Sequence, residues 1–363
     1  MKILFLRPRA EMGGAARVML VLASALQERG HTIILGSSGG EWFDQFEQPL
    51  RVQLYPSTPW NIALATWQIT KIVRNEHIDV MHSHHRFSTL VGKIVSWITG
   101  IPLVSSLHEF KTNWRWIAPL WNARWICPPT EGLRQHLISH YKIAADRVSV
   151  IRVGVWSSAP DRLLIDQFRH STGALASSLI GYVGRLAPEK GVDTLLRAMP
   201  EVLLHLPDAR LVVIGDGSER QYLESLTQSL SLNASVTFIG ARYDASQLMY
   251  ALDVLVMPSL TEGYGLTAVE AMAAARPVIA SNVGALPEVV EDGRTGYLVP
   301  PCDPNALARR IVDVLNNPVR AKAMGEAGKQ KIEEWTPAKA AEAVEVLYRR
   351  AIAETVSHRF HRI

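Results

Sequence analysis

Short apolar runs alternate with small-residue loops along the chain, and the stretches between them carry apolar positions every three or four residues. In the first half the strand-like runs are Lys2 to Leu6, Thr32 to Leu35, Ile78 to His82, Leu103 to Leu107 and Arg124 to Cys127. The first helical stretch is the clearest. Val18, Leu22, Ala25 and Leu26 share one face, and Gly30 supplies a C-terminal stop before His31 opens the next run. After Val150 the apolar periodicity lapses through Trp156 and Pro160 to Ser177, which marks an inter-domain connection. It resumes with Leu179 to Val183 and continues through Leu211 to Ile214, Val236 to Ile239, Val254 to Met257 and Pro277 to Ala280. Asp303-Pro304 reads as a helix start, with Asp as cap and Pro in the first turn, and Pro318 and Pro337 begin two more helices in the same way. The repeated order of strand, loop and helix predicts an α/β chain with one Rossmann-type unit in each half.

Composition narrows this without changing it. A length of 363 residues suits two domains, and 48% hydrophobic with 20% charged residues excludes a disordered or collagen-like chain. Cys127 and Cys302 cannot form a disulfide framework and no Cys-x-x-Cys spacing exists, so a reducing compartment is expected. The apolar run Ile3 to Leu6 is too short for a signal-peptide core, and no run nears the ~20 apolar residues of a spanning helix. A soluble, unexported protein follows as the expectation. Up to residue 170 there are 19 Lys and Arg against 12 Asp and Glu, and beyond it 19 against 22, so an anionic partner would meet the first half.

Candidate chemistry concentrates in Ser259-Leu-Thr-Glu262-Gly263-Tyr264-Gly265-Leu266-Thr-Ala-Val-Glu270. Gly263 and Gly265 let backbone approach a ligand, and a helix beginning near Leu266 aims its free N–H groups and positive end into that space. Glu262 and Glu270 fall on the order of 10 Å apart at a rise of ~1.5 Å per residue, so they serve different groups. Upstream, Gly184-Arg185-Leu-Ala-Pro-Glu189-Lys190-Gly191 sets two cations at a strand end, where open parallel sheets bind ligands. Arg185 and Lys190 can balance an anion without a metal.

The succession GRLAPEKG, VIGDGSER, VTFIG and EGYGLTAVEAMAAARPVIASNVGALPEVVEDGRTGYLVPP, over roughly residues 178–350, resembles the second domain of retaining GT-B glycosyltransferases of the group 1, family-four class. Met12-Gly13-Gly14-Ala15, Gly30-His31 and Ser106-Leu107-His108 extend the resemblance more loosely over the first half. It implies two facing Rossmann-like domains with the active-site cleft between them. An acceptor-side domain would span residues 1–165 and a nucleotide-sugar domain 166–345, with residues 346–363 returning to the first. It also implies a donor site of Gly14, Gly184, Arg185, Lys190, Glu262, Gly263, Tyr264, Gly265, Leu266 and Glu270. In that site Glu262 meets the donor sugar, Glu270 the ribose hydroxyls, and Arg185 with Lys190 the diphosphate. Glu262, His108, Arg185 and Lys190 form the expected catalytic set, with His108 shaping the sugar and acceptor pocket. Tyr264 stands where the family usually has Phe, and Ala16 where many members carry Glu. Arg276, preceded by Ala275, takes the place of a small residue before the Pro-Val strand.

The implied reaction is transfer of a hexose-type unit, with retention, from a UDP- or GDP-sugar to a lipid-linked or glycan acceptor in envelope polysaccharide or lipopolysaccharide synthesis. No Asp-x-Asp triad occurs, so neither a metal nor another cofactor is expected. A nucleotide-sugar epimerase or hydrolase, or a silent sugar-nucleotide-binding subunit, are the alternatives. A dinucleotide dehydrogenase fits less well, because Gly13-Gly14 lacks the Gly-x-Gly-x-x-Gly spacing.

Two clusters stay open. His82-Ser83-His84-His85 could ligate a metal or edge a cleft, and Gly13 and His84 are placed on the acceptor side. Trp114, Trp116, Trp121 and Trp125, interleaved with Lys111, Arg115 and Arg124, suit either a bilayer interface or packing between elements. Trp114 and Trp116 are therefore assigned to the acceptor or membrane side. The expected location is cytoplasmic, peripheral on the inner face of the membrane, with no nucleic-acid partner.

Overall fold

The computed structural model describes residues 1–11, 13–55, 58–108, 123–156 and 159–360, without the side chains of 356–360. They divide into two units. Unit 1 is Met1–Gly154 with the segment from Trp335 onward, and unit 2 is Val155–Glu334. Both divisions come earlier in the chain than 165 and 345, because helix Arg162–Ser171 belongs to unit 2 and the whole C-terminal helix, rather than its end alone, belongs to unit 1.

Unit 1 holds a parallel six-stranded sheet in the order β3-β2-β1-β4-β5-β6. Its strands are β1 Lys2–Leu6, β2 Thr32–Ser37, β3 Gln48–Arg51, β4 Val80–Ser83, β5 Leu103–Ser106 and β6 Trp125–Cys127. Helices α1 Gly14–Glu28, α2 Pro59–Asn75, α3 Arg86–Thr99 and α4 Glu131–Ser139 connect or follow them. The sequence pattern misses β3. It is an edge strand carrying Pro49, half in solvent, so no apolar run announces it. His82-Ser83-His84-His85 is mostly structural. The buried His82 ring has its Nδ1 2.5 Å from the Tyr348 hydroxyl and its Nε2 2.9 Å from Ser106 Oγ, while His85 Nδ1 accepts from the Phe87 N–H at 3.2 Å and so caps α3.

Unit 2 holds a second parallel six-stranded sheet in the order β12-β11-β10-β7-β8-β9. Its strands are β7 Leu179–Val183, β8 Arg210–Ile214, β9 Val236–Gly240, β10 Val254–Met257, β11 Val278–Ser281 and β12 Gly296–Val299. The principal helices are α5 Arg162–Ser171, α6 Val192–His205, α7 Arg220–Ser229, α8 Leu266–Ala273, α9 Pro304–Leu315 and α10 Pro318–Ile332. The proline-led starts hold. Asp303 Oδ1 accepts from the Ala306 N–H at 2.8 Å and Asn317 Oδ1 from the Arg320 N–H at 3.0 Å, each satisfying a donor the helix leaves free.

The C-terminal helix α11, Pro337–Phe360, is fastened to unit 1 along its length. Glu345 meets Arg29 at 2.6 Å and His31 at 2.5 Å, Tyr348 meets His82, and Glu354 meets Arg124 and Arg147, each at 2.8 Å. Two guanidinium groups sit over the buried Trp125 ring, Arg147 at 4.7 Å and Arg350 at 4.5 Å. Trp125 is therefore a packing residue. Trp114, Trp116 and Trp121 lie outside the described residues.

Candidate active site

In unit 2 the strand order reverses between β7 and β10, and in an open parallel sheet the crevice beyond the carboxyl ends of such a pair is where ligands bind. Both segments singled out from the sequence leave those two strand ends. Gly184 to Gly191 follows β7 and leads into α6, and Pro258 to Gly265 follows β10 and leads into α8. The loops are stitched together. The Leu260 N–H donates to the Glu189 carbonyl at 2.9 Å, and a Cβ on Gly191, whose φ is 60°, would lie 2.3 Å from the Pro258 carbonyl oxygen. Only glycine serves both the left-handed backbone and the close approach.

Within this frame Lys190 Nζ donates to Glu262 Oε2 at 2.7 Å, with both side chains largely sheltered. The other Glu262 oxygen accepts from the Gly263 N–H at 3.2 Å. A third segment holds the Glu262 main chain: the Ala285 N–H donates to its carbonyl at 3.0 Å, and Gly284, at φ 55°, leaves no room for a Cβ against that same oxygen. Arg185 is exposed and paired with Glu189, while its carbonyl accepts from the Tyr182 hydroxyl at 2.8 Å. Burial first, and then the Glu262 carboxylate, push the Tyr182 phenol up, so it stays a donor. Gly265, at φ 81°, heads α8 with no side chain capping it, and Tyr264, Leu266 and Glu270 are buried around that helix start. The residues brought together are thus Gly184, Arg185, Lys190, Glu262, Gly263, Tyr264, Gly265, Leu266 and Glu270, all at the reversal. The arrangement offers an anion two cations and a helix N-terminus.

In unit 1 the order reverses between β1 and β4. Gly13 precedes α1 and Gly14 opens it, beyond the end of β1, and His84 follows β4. His84 is buried, and neither ring nitrogen has a hydrogen-bond partner among the described residues. Its ring centroid lies 4.2 Å from that of His82 and 6.4 Å from that of His108, stacked on the latter at 10°. Arg7 Nη1 donates to the His84 carbonyl at 2.9 Å. Burial foremost, then His82, His108 and Arg7, push His84 well below the usual histidine range, so its imidazole is neutral. Among the described residues no group of three or more His, Cys, Asp or Glu is gathered as a metal ion would require.

Residues 166–331 match the family model "Glycosyl transferases group 1", and residues 12–156 match "Glycosyltransferase Family 4". The D-inositol 3-phosphate glycosyltransferase of Corynebacterium aurimucosum is 30% identical over 326 residues, covering 81% of this chain and 77% of the relative. The chain belongs to the group 1 glycosyltransferases. Its fold is GT-B. Anabaena HepE, solved in complex with UDP and glucose, superimposes with a TM-score of 0.83 at 24% identity, covering 99% of this chain and 100% of HepE. WaaG, a glycosyltransferase involved in lipopolysaccharide biosynthesis, does so with a TM-score of 0.75 at 20% identity, covering 94% of this chain and 98% of WaaG.

Four residues that support this candidate site have no role that sequence alone assigns. Glu189, Tyr182, Gly284 and Ala285 hold Arg185 or Glu262 in place. Gly284 and Ala285 were visible in the motif after β11, but their role depends on β11 lying beside β10, which spacing along the chain does not reveal.

Proposed function

We propose that this glycosyltransferase moves a hexose-type sugar from a UDP- or GDP-sugar to a lipid-linked or glycan acceptor, with retained configuration and without a metal. The observation that carries the reading is the Lys190–Glu262 pair at the β7/β10 reversal, beside the uncapped start of α8. The donor diphosphate takes Lys190, Arg185 and the α8 N-terminus, Glu270 takes the ribose hydroxyls, and Glu262 takes the sugar. The bond from the anomeric carbon to the diphosphate oxygen breaks as the acceptor oxygen attacks the same face, and the departing phosphate oxygen receives the acceptor's proton. Stabilising that leaving group is the main catalytic contribution, with Lys190 and Arg185 drawn partly from their Glu262 and Glu189 partners to join the α8 N–H groups around the phosphate. HepE, with UDP and glucose bound, supports a nucleotide-sugar donor, and WaaG supports a place in envelope lipopolysaccharide or polysaccharide assembly. Such an acceptor fits a peripheral enzyme on the inner face of the cytoplasmic membrane. No helix among the described residues is long and apolar enough to cross a membrane.

A thermal-shift panel of UDP, GDP, ADP and their sugars identifies the donor. A nucleotide at about 100 times its dissociation constant stabilises the native state by about 2.7 kcal/mol. Transfer is then assayed with EDTA present and the product anomer is read by NMR. Inversion, or loss of activity to EDTA with rescue by Mn²⁺, contradicts the mechanism. Sugar release without acceptor would favour the hydrolase alternative.

A further inference from the structure

The buried faces of α2 and α3 enter one core. Ala65, Ile69 and Val73 of α2 and Phe87, Val91 and Val95 of α3 cluster on Leu4, Leu6 and Met81 of the sheet, so the two helices form one layer on one face of unit 1. Their outward side is unusual. On α2, Trp60, Leu64, Trp67, Lys71 and Arg74 follow one another at steps of four, three, four and three residues, a single stripe along the helix, and all are exposed. Trp60 is 86% exposed and Trp67 62% exposed, and Lys71 Nζ lies 5.7 Å above the Trp67 ring. The last turn of α3 adds Trp97, 85% exposed, and Ile98, with Lys93 one turn before. Singly exposed apolar residues are ordinary, but three indoles, a leucine and an isoleucine on one helical layer are not.

Charge selects the occupant. The two helices carry Lys71, Arg74, Arg86 and Lys93 and no Asp or Glu. A second copy seated by a two-fold axis would set these cations against themselves with no carboxylate to answer them. A bilayer with anionic headgroups answers them, and indoles with neighbouring cations are the groups that settle at a membrane interface. We infer that the outer face of α2, continued by the end of α3, docks this chain on an anionic lipid surface. The inference rests on the peripheral-membrane part of the reading above and assigns that contact to residues the sequence did not single out.

The test uses the full chain and sedimentation with phosphatidylcholine vesicles, with and without about 30 mol% phosphatidylglycerol. The parent should partition onto the anionic vesicles. Trp60→Gln with Trp67→Gln should lower that partitioning about ten-fold at both low and high salt, since buried indole area is not screened. Lys71→Gln with Arg74→Gln should lower it mainly at low salt. All four side chains are exposed, so unchanged circular dichroism and thermal midpoints are expected. A parent that ignores anionic vesicles overturns both the docking face and the peripheral reading. A parent that binds while the tryptophan variant binds equally overturns this face alone. A parent dimer that the tryptophan variant converts to monomer assigns the stripe to a second copy and overturns the inference. Nucleotide binding measured without vesicles tests the donor site separately.

Discussion

Lys190 and Glu262, 72 positions apart in sequence, meet at 2.7 Å because their loops leave neighbouring β-strands on either side of the order reversal. The ammonium is therefore already neutralised before any ligand arrives, and a donor diphosphate must share it with the carboxylate. Lys190→Ala should weaken UDP or GDP binding about ten-fold or more, the scale of one lost charge-assisted hydrogen bond. Arg185→Ala, at a more exposed position paired with Glu189, should cost less. Calorimetric titration with the matching nucleotide checks both, and parent-like affinity in both variants would remove the donor site from this loop pair.

Glu262→Gln should separate binding from turnover. Its carboxylate is proposed to meet the sugar, so kcat should fall about 100-fold while affinity for the bare nucleoside diphosphate is kept or rises, since Lys190 no longer divides its charge with a carboxylate. Glu270→Ala should show the opposite balance, with nucleoside binding weakened first. Equal losses of both quantities in Glu262→Gln would contradict the assignment.

Burial lowers His82 to about 3 and holds His84 well below its ordinary value, so both are neutral in the folded protein at pH 7. The unfolded chain protonates them near pH 6.5 and the folded chain does not, so the unfolded state binds more protons as pH falls. Stability is therefore full above about pH 6.5 and declines below it, by about 1.4 kcal/mol per pH unit for each histidine until the folded-state value is reached. Urea unfolding at pH 7 and pH 5 should show the loss. His84→Phe should shrink the difference, and an unchanged difference would mean that His84 is not the group responsible.

Ala275 sits at φ 54°, in the left-handed region, one residue before Arg276 and the Pro-Val strand. Ala275→Gly should raise the stability of unit 2 by about 0.5–1 kcal/mol, because relief of the Cβ clash outweighs the added freedom of the unfolded chain. The urea midpoint for unit 2 should rise accordingly.

At Gly154 the outgoing chain passes against the returning one, and a Cβ there would lie 1.4 Å from the Trp335 carbonyl oxygen. Gly154→Ala should destabilise unit 1 by about 2–4 kcal/mol, since the obstacle is main chain and cannot rotate away. A parent-like urea midpoint for unit 1 would show that the two segments separate at little cost.

Much of this was legible in the residues. β1, β7 and β10 begin and end where their apolar runs do, and the caps at Asp303 and the proline-led helices needed only local chemistry. β12 escaped because Gly296–Val299 is brief and starts on glycine, and β3 because its pattern is that of an edge. For the site, loop glycines and charged residues could be found by spacing. The service of Tyr182 and Gly284 could not, because each acts through a neighbour that is distant in sequence. The stripe on α2 is hidden in the sequence for a related reason. Trp60 and Trp67 look like core residues until the opposite face of the helix is seen to supply the core.

Unit 2 is one uninterrupted run of 180 residues, whereas unit 1 is closed by a helix that follows that run. During synthesis the first 154 residues must therefore wait, with His82, Trp125 and Arg29 lacking the side chains that later cover or pair with them. At about 5–20 residues per second the wait is about 10–40 s. Unit 2 can finish during that interval, so the half that emerges second should be the first to mature. A chain ending at residue 334 and held on the ribosome by a flexible linker long enough to fill the exit tunnel should accordingly resist trypsin in its later half and remain open to it in its earlier half, until α11 is supplied to close the gap.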